Sequence, residues 1–442
     1  MKRIRILTTF VLFALAVLWP RLSNSSMQVP APPQTQPVAL VGATIHPVSG
    51  PEIKGGTILF DKGKITGIGA ALEVPPDAVV VKLDGRHVYP GLIAAGSLTG
   101  LVEISSVRAT RDFAEIGRIN PNVRAERAIN PDSEHIPVTR ANGIALAAVL
   151  PLGGLISGMG ALVMLEGWTW EEMTLVAPLC MVLNWPDMPG STGLLPEKER
   201  REREESIKEQ VEEIEEAFRS ARAYQKAREA EREKGVPLHE KDLRWEAMLP
   251  VLRGELPVWV IANRLQEIEA AVEWAQRNRI RMVLYGGADA PLAADLLKSK
   301  KIPVIVSPVL RLPARRDSDY DEAYRLPALL HQAGVNFCIG GQPSMGNERN
   351  LPYHAAMATA FGLPKEEALK SLTLNAARIL GVDDRFGSLE VGKDATLIVT
   401  DGDPLEITTH VEKLYIQGRD VDLGNKQKAL YEKYREKYRR LE

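Results

Sequence analysis

The feature that most narrows the possible folds is a series of near-continuous apolar runs, at 91–98, 143–150, 160–165, 257–262, 281–285, 302–307 and 335–339. Several of them are followed by stretches of helical periodicity. Strands that are apolar on both faces and alternate with helices predict a parallel sheet covered on both sides. Seven or eight such strands over about 290 residues predict that the sheet closes on itself, which makes this an α/β chain built on a (β/α)8 TIM-like barrel. A less regular run at 173–183, interrupted by Pro178, is the candidate for the fourth strand.

The flanks read differently. Residues 38–90 alternate short β-rich segments with turn signals at Gly55-Gly56, Lys62-Gly63 and Pro75-Pro76, and 384–424 repeats the style around Gly392-Lys393 and Gly418-Arg419. Together they predict a small composite β-sandwich domain formed from both chain ends, with the barrel, 91–383, between them. Within the barrel, 190–245 is a charged helical insertion. Its run 196–234 has no internal Pro or Gly, and Ile207, Val211, Ile214, Phe218 and Ala221 recur at steps of four and three. That spacing makes a narrow stripe able to dock on the chain's own barrel or on a partner helix. The last segment, 425–442, places Tyr431, Tyr434, Tyr438 and Leu441 on one helical face and Lys433, Arg435, Lys437, Arg439 and Arg440 elsewhere. It is expected to pack as a final helix, with binding to a membrane surface as the alternative.

Lys2, Arg3 and Arg5 precede an apolar run at 6–19, and Ser23 and Ser25 follow at the spacing a signal peptidase prefers. Residues 1–25 therefore read as a secretory signal peptide, followed by a Pro-rich linker at 26–37. The apolar run is short of the roughly 20 residues that span a bilayer. The expected location is periplasmic or extracellular after cleavage of the signal, with an uncleaved signal acting as a membrane anchor as the alternative. The net charge is -2, from 55 Lys and Arg against 57 Asp and Glu; removing Lys2, Arg3, Arg5 and Arg21 leaves 51 against 57, or -6. No overall basic field exists to hold nucleic acid. Cys180 and Cys338 are too few for a disulfide framework or a thiolate zinc site. They are expected as buried thiols, their pairing left open.

Two separate motifs carry a family resemblance. One runs from Asp84-Gly85-Arg86-His87 through Pro90-Gly91-Leu92-Ile93. The other runs from Ala368-Leu369-Lys370-Ser371 through Asn375-Ala376-Ala377-Arg378 to Gly381, continuing as Gly387-Ser388-Leu389-Glu390-Val391-Gly392-Lys393-Asp394-Ala395. In these segments the chain resembles the amidohydrolase superfamily, especially its imidazolonepropionase-related branch. The resemblance implies hydrolysis of non-peptide C–N bonds by one or two divalent metals at the C-terminal mouth of the barrel. Their ligands would be a His-x-His pair on strand one, later histidines, a bridging carboxylated lysine and an aspartate on strand eight. Imidazole and carboxylate suit zinc, whose bound water is the nucleophile. At the matching positions this sequence has Gly96 and Leu98, then Met164 for the lysine, Ile261 and Tyr285 or Gly286 for histidines, and Gln342 for the aspartate. Among the seven histidines, His46, His87 and His410 fall in the β-rich flanks, His239 beside the insertion and His331 in a helix; His135 and His354 alone fall near the mouth. The expectation is a dismantled metal site and no cofactor. Zinc or another divalent metal is expected only if the site has been rearranged.

Residues 103–140 are polar for a segment reaching over a barrel mouth, where such folds carry their function. Arg108, Arg111 and Arg118, with Asn263, Arg264, Tyr285 and Gln342 at strand ends, form a candidate pocket for a small anionic or amide ligand. Asp112, Glu115 and His135 are the candidate acid–base groups. The competing reading pairs these charges with one another. Ser97 as nucleophile with His135 as base lacks the G-x-S-x-G elbow. Three functions stay open. The chain is a non-catalytic binding protein or partner subunit, paired with itself or with a catalytically intact homologue; or an active hydrolase with a rearranged or metal-free site; or an envelope module working through 196–234.

Overall fold

The computed structural model describes residues 28–188, 196–234, 240–341 and 346–441. The segment 1–25, expected as a signal peptide, and the candidates His239 and Gln342 lie outside the described residues. From the N-terminal side come β1 (Val38–Ile45), β2 (Ile53–Asp61), β3 (Lys64–Gly69), β4 (Val79–Lys82) and β5 (His87–Pro90). The barrel strands are β6 (Leu92–Ser97), β7 (Ile144–Val149), β8 (Ile156–Met164), β9 (Thr174–Asn184), β10 (Val258–Ala262), β11 (Met282–Gly286), β12 (Val304–Val306) and β13 (Phe337–Ile339). After them come β14 (Leu397–Thr400), β15 (Val411–Ile416) and β16 (Arg419–Val421).

Strands from both chain ends share one sheet, in the order β16-β15-β14-β5-β1-β2-β3 with β4 also on β1. Where two facing layers are expected, hydrogen bonding runs through a single branched sheet. It surrounds a small core in which the Phe60 and Tyr415 rings meet edge to face at 5.1 Å. β14 pairs antiparallel with β5, from Leu397 opposite Pro90 to Thr400 opposite His87, immediately before the chain enters the barrel. Asp394, in the exit motif, is buried and accepts from Arg385 at 2.8 Å and Gln417 at 3.0 Å, and it also pairs with Lys64. Gly381 ends the preceding helix in the left-handed conformation, as a C-terminal glycine there implies.

The barrel strands follow one another in chain order, β6 to β13. β13 returns to β6 through a parallel bridge between Gly340 and Ala95, so the sheet is nearly closed. Every residue of β6, β7, β8, β11, β12 and β13 is buried. The fourth strand runs from Thr174 to Asn184 through a cis Ala177–Pro178 bond. One expectation is overturned. The sheet is not wholly parallel, because β8 runs antiparallel to both β7 and β9. The connection at 150–155 is far too short for a parallel crossover, which takes a dozen or more residues. Instead Gly153 (φ +103°) and Gly154 (φ +65°) reverse the chain at once.

The insertion forms one helix, Glu197–Lys234. Its stripe docks on the barrel: Ile214, Phe218 and Ala221 are buried, Phe218 meets Trp274 edge-on at 5.0 Å, and Arg222 donates to the Asn278 carbonyl at 3.0 Å. The 28–37 segment is extended but tied down. Gln34 donates to the Phe60 carbonyl and accepts from the Gly63 N–H, both at 2.9 Å. Cys180 and Cys338 are free and buried, and burial pushes both thiols up. No helix among the described residues is long and apolar enough to cross a membrane.

Candidate functional site

The C-terminal ends of the parallel strands define the mouth, and glycines decide what occupies it. Gly96, in β6, has φ +88°, and a Cβ there would stand 2.8 Å from both Cζ and Oη of Tyr285. β6 and β11 are not neighbours in the sheet, so the Tyr285 ring crosses the barrel interior to fill the space beside Gly96. It also stacks on Trp259, with centroids 6.3 Å apart. Burial pushes the Tyr285 phenol up, the nearby Ser307 hydroxyl pulls it down, and the Glu348 charge adds to the rise. The group is therefore neutral.

Glu348 closes the other side. It follows β13 in a short turn, is 3% exposed, and lies where a Cβ on Gly341 would be, with its Cδ 3.0 Å from that point. Its Oε2 accepts from the Ser97 hydroxyl at 2.8 Å, and the Ser97 oxygen accepts from the Thr99 N–H at 3.0 Å. Ser307 donates to the Gly341 carbonyl. A carboxylate, three hydroxyls and a neutral phenol thus knit the ends of β6, β11, β12 and β13. Sequence reasoning passed over Glu348, Thr99 and Ser307. No spacing rule links them, since each is brought in by a different strand end.

The expected site residues are dispersed. His135 makes its ring contact through Nε2, 2.9 Å from the Glu103 carbonyl. No hydrogen bond or ion pair joins it to Asp112 or Glu115 among the described residues, and both of those are exposed. Arg108 and Arg111 are exposed, and Arg111 reaches the Ser105 carbonyl at 3.4 Å. Arg118 pairs with Glu213 of the long helix at 3.0 Å. Arg264 donates to the Met188 carbonyl at 2.9 Å, and Asn263 lies against Gly286, whose missing Cβ leaves it room. Among the described residues no hydrogen bond or ion pair joins Arg108, Arg111, Arg118, Asn263 or Arg264 to Tyr285, which points into the barrel. Ser97 is engaged by Glu348 rather than His135. Met164 needs a separate correction. Because β8 is reversed, Met164 pairs with Leu146 near the start of β7, at the floor of the barrel, while Ile156 and Ser157 face the mouth end. Among the described residues no three of His, Cys, Asp or Glu come together as a metal site would require.

His354 serves the loop after β12. Its Nδ1 accepts from the N–H groups of Val309 at 3.1 Å and Leu310 at 3.2 Å, so the neutral ring carries its proton on Nε2. Burial pushes its pKa down to about 4 from 6.5. The unfolded chain then takes up a proton first as the pH falls. The stability this ring contributes is complete above about pH 6.5 and is lost toward pH 4, up to about 3 kcal/mol. Urea unfolding at pH 7 and pH 5 is expected to show that slope, reduced in His354→Gln.

The chain has counterparts among known proteins. The model of the Amidohydrolase family matches residues 196–421. An amidohydrolase from Hapsidospora irregularis is 23% identical over 397 residues, 82% of this chain and 39% of that protein. The imidazolonepropionase of Shewanella baltica (strain OS185) is 58% identical over 76 residues, 16% of this chain and 19% of its own. The chain thus spans about two fifths or less of these curated relatives' lengths. The crystal structure of an amidohydrolase from Thermotoga maritima MSB8 superposes with a TM-score of 0.79 at 28% identity, over 87% of this chain and 99% of that one. With the family's model covering half of the sequence and its barrel reproduced in the structure, this chain belongs to the amidohydrolase family.

Proposed function

We propose that this chain is an exported amidohydrolase whose metal centre has been dismantled, and that it works as a non-catalytic binding or partner subunit. The observation that carries the proposal is the filled mouth, with Tyr285 in the space beside Gly96 and Glu348 in the space beside Gly341. A zinc centre takes three or four imidazole, carboxylate or thiolate ligands. At this mouth Glu348 accepts from the Ser97 hydroxyl, the Thr99 and Ser307 hydroxyls stand on the same strand ends, and among the described residues no three of His, Cys, Asp or Glu come together. That donor set does not fit the metal that the family's chemistry uses. Export rests on Lys2, Arg3 and Arg5 ahead of the apolar 6–19 run.

The relatives' activities favour a second reading, hydrolysis of a non-peptide C–N bond by a rearranged site. Elemental analysis of the purified full chain, before and after incubation with zinc, separates the two when combined with assays on N-acyl and cyclic imide substrates. The expected result is metal well below one equivalent and no turnover. One or two tightly held zinc ions per chain, with turnover lost on chelation, would overturn the proposal in favour of the hydrolase.

A further inference from the structure

The C-terminal helix, Lys426–Arg439, is well formed and touches almost nothing. The Asn425 side chain caps it by accepting the Lys428 N–H at 2.9 Å, yet none of its residues is buried. Among the described residues it is therefore not packed as the expected final helix. Tyr431 is 63% exposed, Tyr434 49%, Tyr438 62% and Leu441 73%.

Its side chains are nonetheless sorted. At about 100° per residue, Tyr431, Tyr434, Tyr438 and Leu441 share one face, bordered by Leu430. Lys428, Arg435 and Arg439 lie along one edge of that face, Lys426, Lys433 and Lys437 along the other, and Arg440 stands beyond that second edge, paired with Glu436 at 2.9 Å. Glu432 and Glu436 stand opposite the tyrosines. Lys433, Arg435 and Lys437 hold their charges 5.9, 5.6 and 5.9 Å from the Tyr434, Tyr431 and Tyr438 rings. Those seven bases against two acids give +5 over 426–440, on a chain whose total is -2, so the remainder carries -7. The basic charge is concentrated here against the trend of the molecule. The root of the helix also lies beside the entry of the chain into the fold, because the Gln28 amide donates to the Gly424 carbonyl. The apolar 6–19 run with its basic lead precedes that point in the sequence.

We propose that this helix lies on an anionic phospholipid surface, with its tyrosines and Leu441 at the headgroup level and the two basic edges on lipid phosphates. Tyrosine has an apolar ring with a polar tip and suits that interface. Glu432 pairs with Arg435 and Glu436 with Arg440 on the side away from the tyrosines, and the lysines that flank the apolar stripe on both sides match an interfacial helix. A second copy is a poor occupant, since each helix would bring +5 to the contact and the face lacks the aliphatic a and d positions of a coiled coil. The inference is independent of what the barrel mouth does.

The test uses the full chain labelled with an environment-sensitive thiol fluorophore at Tyr434→Cys or, separately, at Glu432→Cys; Cys180 and Cys338 are buried and stay unlabelled. Vesicles of phosphatidylcholine with about one third phosphatidylglycerol are expected to blue-shift the probe at 434 and not at 432. Pure phosphatidylcholine is expected to shift neither, and high salt to reverse the effect. Lys433→Glu with Lys437→Glu and Arg440→Glu should reduce apparent vesicle affinity at least tenfold as read at 434, with thermal unfolding unchanged. Equal shifts at both positions, no shift at either, or a shift at 434 that follows protein concentration without lipid would overturn the proposal, the last in favour of self-association.

Discussion

Gly96→Ala is expected to destabilise the protein by about 2–5 kcal/mol, a large effect for one added methyl group. Two causes add. At φ +88° a side chain suffers the left-handed clash between Cβ and backbone, about 1–2 kcal/mol. The new methyl would also overlap the Tyr285 ring, and overpacking of a filled core costs about 1–3 kcal/mol. The causes can be separated by unfolding Gly96→Ala, Tyr285→Ala and the double variant in urea. Tyr285→Ala alone should cost about 3–5 kcal/mol through the cavity it leaves. The double variant should be less destabilised than the sum of the two by about 1–3 kcal/mol, because the overlap is gone while the backbone clash remains. Strict additivity would mean that the ring swings aside and does not plug the barrel. A histidine at 96, which the family resemblance would imply, meets both obstacles more severely.

Breaking the ion pair at the barrel floor should be at least as damaging. Arg140 is 4% exposed and Glu166 2%. They pair directly, Arg140 also donates to the Leu165 carbonyl at 3.1 Å, and Glu166 accepts the Ala31 N–H at 2.5 Å. Burial pulls the guanidinium below its usual range and the Glu166 charge draws it back. Arg140→Met leaves a carboxylate buried without its counterion, for which about 3–5 kcal/mol is the expected loss in urea unfolding. Arg140→Met with Glu166→Leu removes both charges, and most of the loss should be recovered because no ion remains to be desolvated. Since Gln28 and Ala31 both bond to this pair, Glu166→Leu should also loosen the 28–37 segment, visible as faster proteolysis there.

The apolar runs announced the barrel because burial on both faces leaves a signature that needs no partner to be read. Even the fourth strand was legible through Pro178. Direction was not, since a run of Gly, Ala, Leu and Val looks alike read either way. The information lay in the connection: 150–155 is too short to cross over, and Gly153-Gly154 reads as a turn. Gly96 was legible as a residue that binds no metal. That Tyr285 fills its place was not, because the contact crosses the barrel between strands far apart in sequence. Glu348 escaped for the same reason, being one acid among many until the fold sets it beside Ser97. The stripe of the 196–234 helix was read correctly as a docking seam. The tyrosines of the last helix were not read as exposed, because periodicity reports a face and not what covers it.

The reversed strand bears on how the chain comes together. A fully parallel barrel offers only pairings between strands separated by whole helices, each paid for by closing a long loop. Here β7, β8 and β9 form an antiparallel meander joined through 150–155 and 165–173. These pairings have low contact order and form with little loss of chain entropy. The meander is the segment from which the remaining strands can be templated, on one side toward β6 and on the other toward β10.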